Sequence, residues 1–179
     1  MKFKTFLAGC LGGLLSLNSC TNSPDMTDYA AYVNPFIGTG GHGHTFPGAI
    51  VPHGMISPSP DTRIDGWDAC SGYYYADSTI NGFSHTHLSG TGCCDYGDVL
   101  LMPTVGEQKY LPTGSQSQQM AYASAFSHQN ETAEPGYYSV FLDTYQVKAE
   151  LTASKRAAIH RYTFPESKEA GFILDLDYS

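Results

Sequence analysis

The stretch 146–153 reads QVKAELTA, in which the apolar Val147, Ala149 and Leu151 alternate with the polar Lys148, Glu150 and Thr152. Successive side chains of a β-strand point to opposite faces, so a period of two predicts a strand with one buried face. Apolar runs predict further strands at residues 98–102, 137–145, 157–164 and 171–176. No stretch sustains a helical period. The predicted architecture is therefore all-β, an antiparallel β-sandwich.

Composition supports one globular domain with an acidic surface. Of the 179 residues, 41% are hydrophobic and 13% aromatic, which excludes a disordered chain. Nine Lys and Arg face 17 Asp and Glu, for a formal charge of −8. Arg63 is the only Lys or Arg between Cys20 and Gln108. Such a surface repels phosphate backbones, so nucleic acid is excluded as a partner and a neutral, hydroxyl-rich or cationic ligand is favoured.

The N-terminus has the pattern of an export signal. Lys2 and Lys4 precede an apolar stretch at residues 6–17, which is too short to span a bilayer as a helix. The run Leu-Asn-Ser-Cys ending at Cys20 resembles a lipobox, which predicts a signal peptide at 1–19, lipidation of Cys20 and a tether at 20–30. Cleavage before Cys10 and ordinary secretion are the alternatives. In each case we expect the protein to be exported, with membrane contact only through the lipid.

Three cysteines follow Cys20 and leave two alternatives open. Adjacent cysteines such as Cys93 and Cys94 rarely bridge each other, because the ring strains the peptide. A bond from Cys70 to one of this pair is one alternative, and buried thiols are the other. No CxxC or zinc-ribbon spacing is present.

Residues 33–97 are rich in Gly, Pro, His and Asp, which predicts structured loops that carry the chemistry. Arg63, Trp67 and Asp68 lie close together there, and Trp67 is the only Trp of the chain. An indole stacks on a pyranose ring, while Arg and Asp bind neighbouring hydroxyls, so this group predicts a carbohydrate pocket. The alternative is a core Trp beside a structural Arg–Asp pair.

Two His-x-His pairs occur, at His42 and His44 and at His85 and His87. On a strand both imidazoles of a pair face one side and could bind Zn²⁺ or copper with a third ligand. Hydrogen-bonding loop histidines and substrate contacts are the alternatives. The Gly-rich loop at 38–43 lacks the Lys and following helix of a phosphate-binding loop.

The final strand, GFILDL at 171–176, ends almost where the chain does. A strand this apolar normally has later strands or another domain beside it. We therefore expect a longer protein, with a small lipoprotein as the alternative.

Several blocks in order strongly resemble the amino-terminal domain of glycoside hydrolase family 92, the exo-acting α-mannosidases. The blocks are VNPFIGTGGHGHTFPGA at 33–49, SPDTR at 59–63, GWDACSGY at 66–73, GFSHTHLSGTG at 82–92, DYGD at 95–98, PGYY at 135–138 and HRYTFP at 160–165. The resemblance implies that residues 31–179 form a supersandwich-like domain, incomplete at its C-terminus. It also implies packing on a larger (α/α) barrel of the same chain, with the active site between the two.

The resemblance further implies a Ca²⁺-dependent inverting enzyme that acts on mannose-containing glycans. The catalytic carboxylates and most calcium ligands would lie in the barrel, so no catalytic or metal-binding residue is assigned in this chain and the fragment alone is expected to be inactive. One wall of the sugar site would come from six residues: Gly41, His42, Arg63, Trp67, Asp68 and His87. A stand-alone carbohydrate-binding lipoprotein and a His-based metal carrier are the competing hypotheses.

Overall fold

The structure is a computed structural model that describes residues 27–63, 65–109 and 119–178. The predicted signal peptide, Cys20 and most of the predicted tether lie outside the described residues. The described residues form nine strands: β1 (Ser59–Asp61), β2 (Thr79–Ile80), β3 (Gly82–Ser84), β4 (Leu100–Val105), β5 (Ser124–Glu134), β6 (Tyr137–Leu142), β7 (Val147–Ala153), β8 (Ala158–Thr163) and β9 (Ala170–Asp175). Short 3₁₀ turns at Tyr29–Tyr32 and Trp67–Ala69 are their only helical elements.

The strands form two antiparallel sheets, which confirms the predicted sandwich. One sheet has the order β1-β3-β4-β9, and the other has the order β2-β5-β6-β7-β8. Buried side chains from both sheets form one core, which includes Tyr73, Phe83, Leu100, Met102, Tyr138, Val140, Leu142 and Leu151. The loops before and between β1, β3 and β4 carry most of the predicted site residues, so the first sheet positions the site.

The alternation that predicted β7 holds for its apolar positions. Val147, Ala149 and Leu151 are at most 1% exposed. Glu150 departs from the pattern, because it is only 7% exposed on the predicted polar face. It accepts two hydrogen bonds from Arg161 of β8, at 2.6 and 2.7 Å, and one from Tyr137 of β6 at 2.7 Å. These donors lower the pKa of Glu150 to about 2. Side chains of the two neighbouring strands therefore satisfy this buried carboxylate.

Strand β9 lies at the edge of the first sheet, beside β4. Its side chains Phe172 and Leu174, together with Leu176 just after the strand, are each more than half exposed. The ring of Phe172 contacts the rings of Tyr162 and Phe164, and the ring centroids are 5.4 Å apart in each pair. The apolar run that suggested a covered strand is therefore only partly covered by the described residues.

A pair of stacked imidazoles joins the two sheets. His85 follows β3, His160 lies on β8, and their ring centroids are 4.7 Å apart with 17° between the planes. His160 Nδ1 and the Tyr162 hydroxyl are 2.8 Å apart, whereas His160 Nε2 has no hydrogen-bond partner among the described residues. Burial, with a smaller contribution from His85, lowers the pKa of His160 from 6.5 to about 4. The folded protein therefore favours the neutral form of His160.

We expect acid to destabilise the fold through His160. The unfolded chain binds this proton below pH 6.5 and the folded chain only near pH 4, so stability falls across that window. Lowering the pH from 7 to 5 is expected to cost about 2 kcal/mol through this residue. The measurement is the free energy of opening of β8, by native-state hydrogen exchange, in the protein and in His160→Phe, which keeps a stacked ring but cannot titrate. An equal loss between pH 7 and 5 in both proteins would contradict the assignment.

Candidate functional site

The predicted sugar platform lies on the protein surface. Trp67 begins the 3₁₀ turn Trp67–Ala69 after Gly66, whose φ of +102° favours glycine. The indole is 55% exposed, which contradicts the alternative of a core Trp. Its ring centroid lies 4.4 Å from that of His44, with the planes nearly perpendicular, and 4.9 Å from that of His42. His42 of the loop at 38–43 and the adjoining His44 therefore pack against an exposed aromatic side chain.

The loop at 38–43 and the turn are joined by an imidazole–carboxylate contact. His42 Nδ1 lies 2.5 Å from Asp68 Oδ1, and both side chains are exposed. Gly41 has a φ of +57°, and a Cβ at this position would have open space around it. We call His42, His44, Trp67 and Asp68 the tryptophan cluster. It combines an apolar ring face with polar groups that can bind hydroxyls, as a sugar requires.

Gly92 approaches the other edge of the indole. A Cβ there would lie 2.9 Å from Trp67 Nε1, and the residue has a φ of +72°. Only glycine allows this segment to lie so close to the ring at that backbone conformation. The loop at residues 90–97 therefore limits how far the indole can turn.

Arg63 forms an ion pair with Asp77, and Asp68 adds only a smaller electrostatic interaction. Its Nε and Nη2 donate to the Asp77 carboxylate at 2.6 to 3.0 Å, and its guanidinium lies 4.5 Å from the ring centroid of Tyr74. The hydrogen bonds that Arg63 donates to the Asp77 carboxylate raise the pKa of Arg63 above its ordinary value. The structural Arg–Asp pair weighed above therefore exists, but its partner is 14 residues away in sequence.

Arg63 and His87 line a cleft of about 510 Å³ next to the tryptophan cluster. Its other walls come from Asp61, Tyr178 and residues 69–72 and 94–98. The turn Trp67–Ala69 leads directly into this wall, so the cluster and the cleft share one backbone segment. We call this cavity the Asp61–His87 cleft.

A buried ion pair forms the base of the cleft. His87 Nε2 lies 2.9 Å from Asp61 Oδ1, and both side chains are at most 2% exposed. Asp61 Oδ2 accepts a hydrogen bond from the Ser84 backbone N–H, and His87 Nδ1 lies 2.7 Å from the Ser57 carbonyl oxygen. A carbonyl oxygen only accepts, so Nδ1 carries a proton, and an ionised Asp61 requires a second proton on Nε2. The Ser84 hydroxyl also lies 3.1 Å from Nε2, so three oxygen atoms surround the imidazole, and the cationic form donates to the two that only accept.

Glycine is required where the chain passes this pair. Gly72 has a φ of +90°, and a Cβ on it would lie 2.4 Å from Asp61 Oδ1. The Gly72 carbonyl also accepts the Thr62 backbone N–H at 2.8 Å. Because Gly72 has no side chain, the segment that contains it can pass directly over the buried Asp61 carboxylate.

We expect His87 to remain doubly protonated to a higher pH than an ordinary histidine does. Burial acts to lower the pKa of His87, but the Asp61 carboxylate outweighs it, so the pKa is raised above 6.5. The pair's contribution to stability is full below pH 6.5 and is lost as the pH rises through the raised pKa. At pH 6.5, nitrogen-15 NMR of the imidazole should show mainly the form with two N–H groups in the protein and mainly the form with one in Asp61→Asn. A single N–H in the unmodified protein would contradict this prediction.

The His-x-His pairs do not form a metal site among the described residues. His85 Nδ1 contacts the Val99 carbonyl oxygen at 2.7 Å and stacks on His160, whereas His87 is bound to Asp61. Across residues 27–63, 65–109 and 119–178, no three His, Cys, Asp or Glu side chains meet in a group that could hold a metal ion. The structure therefore favours hydrogen-bonding roles for His85 and His87.

Sequence reasoning selected Gly41, His42, Arg63, Trp67, Asp68 and His87. The structure brings His42, Trp67 and Asp68 together with Gly41 beside them, and it places Arg63 and His87 in the adjoining cleft. Asp61 and Asp77, which hold His87 and Arg63, were not selected. Asp61 is within the same SPDTR block as Arg63, so its position was a usable signal, whereas nothing in the sequence singles out Asp77.

The two antiparallel sheets form a β-sandwich, and its loops carry an exposed indole and an imidazole–carboxylate pair that can bind a sugar. The sequence matches the Glycosyl hydrolase family 92 N-terminal domain over residues 32–179. The chain thus belongs to glycoside hydrolase family 92 and contains its N-terminal β-sandwich domain.

Known relatives agree with this assignment. The chain is similar to the family GH92 α-mannosidase BT3965 from Bacteroides thetaiotaomicron, solved with mannoimidazole, at 47% identity and a TM-score of 0.78, covering 83% of this chain and 20% of that one. It is also similar to the GH92 inverting mannosidase BT2199 of the same species, at 34% identity and a TM-score of 0.71, covering 86% and 20%.

A curated relative is an uncharacterized secreted glycosidase from Arthroderma benhamiae. It is 32% identical over 141 residues, which are 78% of this chain and 18% of that protein. The chain thus spans about a fifth of the length of these relatives. Within the described part of the chain, no helix is long and apolar enough to cross a bilayer.

Proposed function

We propose that this chain is the N-terminal part of an exported, calcium-dependent, inverting exo-α-mannosidase that acts on mannose-containing glycans. The single observation that supports it most is the half-exposed indole of Trp67 beside the His42–Asp68 contact, in a chain 47% identical to a GH92 α-mannosidase. The N-terminal signal 1–19 would direct export, and lipid on Cys20 would hold the protein to a membrane through the tether 20–30.

The tryptophan cluster would supply one wall of the sugar site. The indole offers an apolar face to a pyranose ring, and the Asp68 carboxylate and His42 imidazole bind hydroxyls at its edge. Asp77 accepts from Nε and Nη2 of Arg63, so the N–H groups on Nη1 are the proposed donors to a sugar hydroxyl. His87 lies deeper, so its proposed role is to support the wall from below through Asp61.

The opposite wall would come from an (α/α) barrel in the rest of the protein. Inverting glycosidases hold a general acid and a general base roughly 6.5–9.5 Å apart, with the attacking water between one of them and the sugar. Calcium requires six to eight oxygen ligands, and the described residues offer no cluster that fits it. The family resemblance places the two carboxylates and most of the calcium ligands in the barrel, and this domain would contribute binding and orientation of the substrate.

The whole protein is expected to release mannose from an α-linked mannobiose, with β-mannose as the first anomer detected by proton NMR. Chelation of calcium should abolish the release, and added calcium should restore it. Residues 20–179 alone should release none, because they lack the second wall. Release of mannose by this fragment at a rate near that of the whole protein would contradict the two-domain proposal.

The stand-alone binding module is the second candidate, because the exposed indole would serve capture as well as catalysis. The same experiment separates the two functions. A whole protein that binds mannobiose but releases no mannose, with calcium present, would favour the binding module.

A further inference from the structure

Three cysteines lie around the site, and the proposed function uses none of them. All three are free thiols in the structure. Cys70 is 2% exposed and follows the turn Trp67–Ala69, whereas Cys93 and Cys94 are exposed on the loop at 90–97. Cys70 and Cys94 both line the Asp61–His87 cleft, and Cys93 is not among its lining residues. The structure thus places Cys70 and Cys94, but not Cys93, on the wall of one cleft, close enough for Cys70 to act electrostatically on Cys94.

Direct contacts already join the two segments that carry these thiols. Cys94 Sγ lies 3.7 Å from the Gly66 carbonyl oxygen, and this same oxygen accepts the Ala69 backbone N–H at 3.1 Å, one residue before Cys70. On the other side of the turn, Gly92 lies against Trp67. The loop and the turn are therefore in contact at two points.

We propose that Cys70 and Cys94 are a redox pair that forms a disulfide when the protein meets a small-molecule disulfide or a thiol oxidase outside the cytoplasm. Cys93 is excluded as the partner of Cys94 because a bond between adjacent cysteines strains the peptide between them. The bond would fasten the loop at 90–97 to the turn that carries Trp67. This inference concerns the thiols alone and does not depend on mannosidase activity.

The exposed thiol would react first. The Cys94 thiolate attacks the oxidant's S–S bond, which releases one reduced thiol and leaves a mixed disulfide. The Cys70 thiolate then attacks Cys94 Sγ, which releases the second reduced thiol and closes the bond. Two electrons and two protons pass from the protein to the oxidant, so the step is balanced. Burial raises the pKa of Cys94, so oxidation should accelerate as the pH rises.

The sequence offers a direct measurement. There is no Lys or Arg between Arg63 and Lys109, so trypsin releases all three cysteines in one peptide, residues 64–109. The whole, folded protein is treated with oxidised glutathione, and its remaining thiols are blocked in acid. After trypsin digestion, the mass of the peptide is measured. We expect one blocking group in place of the three on the reduced peptide, and a mass about 2 Da below that of the sequence carrying one such group. A second digest with chymotrypsin should leave the segments that contain Cys70 and Cys94 joined.

Two adjacent variants serve as a matched pair. Cys93→Ser should keep the loss of mass, and Cys94→Ser should abolish it, although both replace a thiol in the same exposed loop. Loss of the bond in Cys93→Ser, glutathione left attached to Cys94, or three blocked thiols after oxidation at alkaline pH would each overturn the proposal. Because none of these readouts uses a sugar, a failure here leaves the proposed function to its own test.

Discussion

Replacing Glu131 with leucine is expected to lower the free energy of unfolding of the sandwich by about 4 kcal/mol. Glu131 lies at a register shift in β5, and its side chain is 1% exposed. Its carboxylate accepts the hydroxyl of Tyr138 at 2.6 Å and that of Tyr73 at 3.0 Å, and it lies 2.6 Å from His128 Nδ1. Burial and the nearby carboxylate raise the pKa values of Tyr73 and Tyr138, so both hydroxyls stay protonated donors. Leucine would leave these donors buried without an acceptor.

Native-state hydrogen exchange in β5 and β6 measures this loss within the whole protein, where a single unfolding transition is not assured. The matched control is Glu134→Leu, which makes the same chemical change at an exposed position of the same strand. It should change the free energy of opening by less than about 0.5 kcal/mol. Glu131→Gln, which keeps one acceptor oxygen, should fall between the two. Similar values for both leucine variants would show that the buried carboxylate does not organise the core.

Replacing Trp67 with alanine is expected to lower kcat/KM for an α-mannobiose roughly 10- to 100-fold in the whole protein. The indole is 55% exposed, which leaves on the order of 100 Å² of ring surface for a sugar to cover. At about 25 cal/mol per Å², that contact is worth about 2.5 kcal/mol. The fold should be little affected, because a half-exposed side chain contributes little to the core.

Two variants define what the loss means. Trp67→Phe keeps a smaller aromatic face and should recover part of kcat/KM. Tyr29→Ala removes another exposed aromatic, 76% exposed and outside the site, and should leave kcat/KM unchanged. An unchanged kcat/KM in Trp67→Ala, with an active parent protein, would contradict the role of the indole as a sugar platform.

The strands could be predicted because their causes are local. Alternation in QVKAELTA and the apolar runs at 137–145 and 171–176 place β7, β6 and β9 within a few residues. The sheet order could not be predicted, since β9 pairs with β4 about 70 residues earlier and nothing in either strand encodes that choice. Glu150 is buried against the local pattern because Arg161 and Tyr137, on two other strands, supply its hydrogen bonds.

The site divides in the same way. Trp67 and His42 stand out by residue type and motif, and the structure places them together on the surface. The carboxylates that pair with the charged site residues were not identified from the sequence. Arg63 binds Asp77, and His87 binds Asp61, which is 26 residues away. Each of these pairs is made by the tertiary fold, so residue chemistry identifies one member and only the structure identifies the other.

The most direct test of the proposal that the tryptophan cluster forms one wall of the sugar site is a crystal structure of the whole protein with an α-mannoside that it cannot hydrolyse. The sugar ring should lie within about 4 Å of the Trp67 indole, with carboxylates of another part of the chain on its opposite side. A mannoside bound elsewhere, with the indole covered by protein in the assembled enzyme, would show that this surface serves domain packing and not sugar binding.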